Sequence, residues 1–172
     1  MSPDLMLQQD FGLITELVHG YALERPQHPA LVHEERVLSY GVLDQLMDRV
    51  AASLQRDALQ SGDVISICAA SSVEYGAIFL GALRAGVAVA PLAPSSTPEA
   101  LATMLGDCGA KILFLDQPIA AALEGQKLSA SLRQIPISMG DWLAPAAARP
   151  RPVQIDPGAP FNIIYSSGTT GL

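Results

Sequence analysis

Short apolar runs of strand character alternate with amphipathic helical stretches through most of the chain, and this alternation limits the fold more than any other feature. Val64-Ile65-Ser66-Ile67-Cys68, Val87–Ala90 and Ile112–Leu115 read as buried strands. Between them, Tyr75, Ile78, Phe79 and Ala82 recur at helical spacing, as do Leu101, Met104, Leu105 and Cys108. Strands separated by helices of that length imply βαβ units, a parallel sheet and right-handed crossovers. The expected fold class is α/β, a parallel sheet flanked by helices. A weaker strand candidate at Ile135–Ser138 carries Pro136, which cannot donate to a ladder.

The segments before the first such strand are helical with one hairpin. Leu13, Ile14, Leu17, Val18 and Tyr21 share a helical face over residues 11–23, ended by Pro26 and Pro29. Ala30–His33 and Arg36–Ser39, joined by Glu34-Glu35, read as a hairpin. Leu43, Leu46, Met47, Val50 and Leu54 then form one apolar stripe, with Ser39 as the expected N-cap. Ser71-Ser72 is placed to cap the next helix, and Gly86 to close it in a left-handed conformation. Ser96-Thr97-Pro98-Glu99 has the form of a capping box, and residues 117–130 are expected to be helical. Three parts follow: an α/β unit over residues 1–143, a proline-rich connection over 144–160, and a final strand with a loop over 161–172.

Composition narrows the partners. The 172 residues are 49% hydrophobic and 16% charged, so the chain is long and apolar enough to bury a core. The formal charge is -7, and the ten basic residues form no stripe, which argues against a nucleic-acid partner. The longest apolar tract, Ala77–Leu83, is too short to span a bilayer, and the N-terminus has no signal-peptide pattern. A cytoplasmic protein without a membrane partner is expected. Cys68 and Cys108 form no metal or redox pattern and read as reduced small hydrophobes. His19, His28 and His33 lack ligand spacing, so no metal site and no catalytic residue is assigned.

The candidate chemistry lies at the end. Phe161-Asn162-Ile163-Ile164-Tyr165 reads as a strand, followed directly by Ser166-Ser167-Gly168-Thr169-Thr170-Gly171. Gly168 and Gly171 permit positive φ and close backbone approach, so consecutive N–H groups can converge on an anion while four hydroxyls supply further donors. On composition alone a frayed tail is the commoner reading of such a run, with a polyphosphate-binding loop as the alternative. The Walker pattern is absent, and so are the nucleophile elbow and the following histidine of a serine hydrolase.

Tyr165-Ser166-Ser167-Gly168-Thr169-Thr170-Gly171 resembles the phosphate-loop signature of the adenylate-forming superfamily, which includes acyl-CoA synthetases and peptide-synthetase adenylation domains. Leu38-Ser39-Tyr40-Gly41-Val42-Leu43 and Leu83-Arg84-Ala85-Gly86-Val87-Ala88-Val89-Ala90-Pro91-Leu92 resemble two further family motifs, in the family's order. Val42 departs from the usual glutamate there. The Pro-Lys-Gly that completes the loop and the family's later motifs are not in this sequence. The resemblance therefore implies the N-terminal part of a large adenylate-forming domain, inactive alone, that partners with the remainder of its own enzyme and is prone to self-association. It implies magnesium-ATP and a small-molecule carboxylate as substrates, with an acyl-adenylate as intermediate. Ser166, Ser167, Gly168, Thr169, Thr170 and Gly171 would hold the β- and γ-phosphates. The residues of the loop lie nearer to acyl-CoA synthetases, implying coenzyme A as acceptor. A peptide-synthetase adenylation domain and a stand-alone nucleotide-binding or interaction module are the alternatives.

Overall fold

The computed structural model describes residues 2–9 and 11–166. After a one-turn helix α1 (Pro3–Met6), α2 (Ile14–Glu24) leads into an antiparallel hairpin of β1 (Pro29–His33) and β2 (Arg36–Ser39). Glu34 takes φ 52° at the tip, which turns the chain between the two strands. The helix α3 (Tyr40–Arg56) follows, capped where expected: the Val42 amide donates to Ser39 Oγ at 3.4 Å.

Four parallel strands form the central sheet: β3 (Val64–Cys68), β4 (Ala88–Pro91), β5 (Ile112–Leu115) and β6 (Arg133–Pro136), in spatial order β4-β3-β5-β6. Helix α4 (Val73–Arg84) crosses from β3 to β4, and α5 (Pro98–Asp107) crosses back from β4 to β5. The two crossovers run in opposite directions, so right-handed connections put their helices on opposite faces. Strand alternation agrees. Ile65, Ile67, Val89, Ile112, Phe114 and Ile135 meet α3 and α4, whereas Leu113 and Leu115 meet α5 and the short α6 (Gln117–Ala122). A third cluster, Val18, Leu43, Met47 and Ala77, fastens α2 to the outside of α3 and α4. No helix among the described residues is long and apolar enough to cross a membrane.

Two expectations need correction. Residues 117–130 are not one helix: α6 stops at Ala122, and Gly125 turns the chain with φ 80°. Asp116 caps α6 by accepting from the Ile119 amide. The cap of α5 is Thr97 Oγ1, which accepts from Ala100 N at 3.2 Å, because Pro98 occupies the first helical turn. Glu99 thus lies one position short of a capping box, and its carboxylate accepts instead from Gln126.

The final strand is reduced to one bridge. Val89 N donates to Phe161 O at 3.0 Å, and Ile163 N donates to Val89 O at 2.9 Å. In a parallel ladder the next donor toward Ile163 would be residue 91, and Pro91 has no N–H. The pairing ends there.

Candidate functional site

In open α/β sheets, ligands bind beyond the carboxyl ends of the strands where the strand order reverses. Here that point lies between β3 and β5, and a carboxylate closes it. Asp116 Oδ2 accepts from Ala70 N at 2.9 Å, and Oδ1 accepts from Ile119 N at 3.2 Å. Below it Cys68 is buried, which together with the Asp116 charge pushes its thiol up to about 11. A negative group already fixed in the crevice repels a phosphate. The reversal point is therefore occupied by the protein's own side chain.

The other carboxyl-end position is the outer edge of β4, where residues 161–166 emerge. Ile164 is 76% exposed, but Tyr165 turns back onto α5. Its hydroxyl donates to Asp107 Oδ2 at 2.6 Å and lies 3.2 Å from Met104 O, while its ring packs with the cluster that contains Leu101 and Leu105. Burial, the hydrogen bond to Asp107 and the neighbouring Cys108 push the tyrosine hydroxyl well above its ordinary pKa, so it stays a donor. Ser166, the first residue of the expected loop, is exposed directly after this anchor. Ser167, Gly168, Thr169, Thr170 and Gly171 lie outside the described residues. Hydroxyl and amide donors are the chemistry a polyphosphate requires, and Ser166 presents the first of them.

Sequence reasoning missed Asp107 and Met104. Asp107 had left a signal: an acidic residue in the last turn of a helix opposes the macrodipole and asks for a tertiary partner. Asn162 was read only as a strand residue, yet its Oδ1 is buried with no hydrogen-bond partner among the described residues. The described residues contain no group of three or more His, Cys, Asp or Glu able to hold a metal ion. A hollow of about 350 Å³ beside Phe11, Ile14, Leu83, Ile155, Pro160 and Phe161 is lined mainly by apolar side chains. It offers volume but little chemistry.

Arg84, from the Leu-Arg-Ala-Gly stretch, is structural. Its guanidinium bonds Asp44 Oδ1 at 2.6 Å, Asp48 Oδ1 at 2.7 Å, Asp44 O at 2.9 Å and Thr15 O at 3.1 Å. It joins α2, α3 and α4.

The described residues form a doubly wound parallel sheet of the α/β class, followed in sequence by a Ser/Gly/Thr stretch. The chain belongs to the AMP-binding enzyme family, whose model matches residues 19–172. It is 29% identical over 157 residues to the fatty acid–[acyl-carrier-protein] ligase ScoC of Streptomyces coeruleorubidus, covering 88% of this chain and 30% of that protein. It is 30% identical over 162 residues to a component of the linear gramicidin synthase of Brevibacillus parabrevis, covering 92% of this chain and 3% of that one. The inhibitor-bound N-terminal domain of FACL13 from Mycobacterium tuberculosis superposes with a TM-score of 0.83 at 23% identity, over 94% of this chain and 42% of that one. The chain spans less than a third of the length of either of the two relatives matched by sequence.

Proposed function

We propose that this chain is the phosphate-loop-bearing N-terminal part of a ligase that uses magnesium-ATP to convert a carboxylate into an acyl-adenylate and then transfers the acyl group to the thiol of a carrier protein. The observation that carries the reading is a family match that runs from residue 19 through the loop to residue 172. In that reading the substrate carboxylate attacks the α-phosphorus and pyrophosphate departs. The amides and hydroxyls of Ser166, Ser167, Gly168, Thr169, Thr170 and Gly171 hold the β- and γ-phosphates and stabilise charge on the leaving group. Magnesium accompanies the nucleotide as part of the substrate. The loop residues position and stabilise; none is a nucleophile or a base.

Two relatives support the carrier-protein acceptor. One is named as a ligase acting on acyl-carrier protein, and the other is part of a gramicidin synthase. The residues of the loop favour coenzyme A instead, so the acceptor is the finer point to test. The complete polypeptide encoded by the gene should catalyse carboxylate-dependent exchange between pyrophosphate and ATP, and Gly168→Val should abolish it by closing the loop sterically. With the adenylating carboxylate in hand, the purified enzyme is offered coenzyme A and a phosphopantetheine-loaded carrier protein in parallel. Faster acylation of the carrier supports the proposal, and faster acylation of coenzyme A overturns its second half. Absence of exchange with every carboxylate class overturns all of it.

A further inference from the structure

The short segment between the sheet and the loop needs an anchor. The last backbone tie of the outgoing chain to the sheet is the Ile163 amide on Val89 O, and Pro91 prevents the next one. Ile164 is too exposed to hold the chain by packing. The root of the loop is therefore held from Tyr165, through one side chain reaching α5.

That contact has an independent mark of purpose on its other partner. Asp107 closes α5, where the unpaired carbonyls of the final turn make a carboxylate unfavourable, and it follows Gly106, a poor helix former. Asp107 makes no salt bridge among the described residues that would explain it. Its oxygen accepts from Tyr165 at 2.6 Å, the length of a charge-assisted bond. A phenol has one proton, so Asp107, nearer than Met104 O at 3.2 Å, receives it.

We propose that the Tyr165–Asp107 hydrogen bond is a positioning latch that fixes the root of the phosphate loop on α5 and thereby sets the affinity for the β- and γ-phosphates of ATP. The proposal rests on the phosphate-loop reading above. Tyr165 and Asp107 are positioning residues; neither touches the reacting atoms. The latch acts on the nucleotide and leaves carboxylate binding alone.

The test uses pyrophosphate exchange by the complete enzyme. Tyr165→Phe keeps the ring in its apolar seat and removes only the proton donor; Asp107→Ala removes the acceptor. Each should raise KM for magnesium-ATP about tenfold, the scale expected of one hydrogen bond to a charged group, with KM for the carboxylate unchanged. The double variant should do no worse than the more impaired single variant, because both remove the same bond. Asp107→Asn retains an acceptor oxygen without the charge and should recover part of the loss. As a readout without catalysis, the amide of Ile163, which donates to Val89 O, should exchange with solvent faster in Tyr165→Phe than in wild type. Unchanged KM for ATP in both single variants, equal effects on both substrates, or additive effects in the double variant would overturn the latch while leaving the adenylation reading intact. A wild-type enzyme without exchange overturns that reading and the latch with it.

Discussion

Arg84 and Asp44 meet at 2.6 Å with only 14% and 15% of their side chains exposed, and the same guanidinium also bonds Asp48 and the carbonyl of Thr15. Three helices thus converge on one planar donor group. Removing it leaves two largely buried carboxylates side by side, with only the more exposed His19 on Asp44 and Arg149 on Asp48 as ionic partners. Arg84→Ala should lower unfolding stability by about 2–4 kcal/mol, somewhat under the cost of breaking a fully enclosed pair, read as a shift in the urea midpoint. Arg84→Lys restores charge without the fork geometry and should recover only part of the loss. An Arg84→Ala midpoint equal to wild type would show that the network contributes nothing.

Two helical glycines should respond to alanine with opposite signs. A Cβ built on Gly81 of α4 would lie 2.6 Å from Val50 Cβ and 3.1 Å from Met47 O of α3, so the two helices touch through it. Gly81→Ala should destabilise by about 1–3 kcal/mol through overpacking, although alanine is the better helix former. At Gly106 of α5 nothing lies within 4 Å of the added carbon. Gly106→Ala should therefore stabilise by about 0.5–1 kcal/mol. Paired denaturant curves decide both, and a stabilising Gly81→Ala would contradict the close approach of α3 and α4.

Asp57 predicts a pH dependence. Burial alone would raise its carboxyl, but hydrogen bonds from Arg56 and Trp142 and the charges of Arg56 and Arg133 hold it below the usual 3.8. Trp142 Nε1 and Arg133 both lie 2.7 Å from Asp57 Oδ2. A carboxyl with a depressed folded pKa contributes stability that is present above its unfolded value and lost as pH falls through the folded one. Asp57→Asn should therefore be less stable than wild type at pH 7, with the gap narrowing below 3.8. Trp142, the single tryptophan, reports the unfolding by fluorescence. A gap that stays constant down to about pH 3 would remove Asp57 from the acid response.

Much of this architecture was legible because it follows from local chemistry. Val64–Cys68 and Ile112–Leu115 are strands with the bounds read from their apolar runs, Ser39 and Ser72 cap their helices, and Gly86 takes φ 73° after α4. What escaped depends on partners distant in sequence. The proline that stops the final strand is Pro91, on a neighbour 71 positions before Asn162, so its effect appears only once β4 and Asn162 pair. The 117–130 helix failed at Gly125, a residue whose turn competes with a helix-compatible flank. The loop was recognisable as a pattern, whereas its anchor on Asp107 required knowing that α5 passes beneath Tyr165. A local rule finds caps and stripes; a side-chain tie across 58 positions leaves only an anomaly, here an aspartate at the wrong end of a helix.

The Cys68 thiol offers a clock for opening of the sheet. It is 1% exposed at the end of β3, and burial with the nearby Asp116 charge raises it to about 11. At pH 8 only about one such thiol in a thousand is ionised, and the thiolate is the reactive species. Alkylation by iodoacetamide should therefore proceed at Cys68 only through molecules in which β3 and β5 have separated. Its rate should rise with urea in step with the loss of Trp142 fluorescence. Asp116→Asn should remove the neighbouring charge while keeping an oxygen for Ala70 N, lowering the thiol pKa modestly and leaving the slow labelling in place. Mass spectrometry of the labelled peptide separates Cys68 from Cys108. Rapid labelling of Cys68 in native buffer would mean that the closed crevice between β3 and β5 opens without unfolding, and the reversal point of the sheet would then regain its claim as a ligand site.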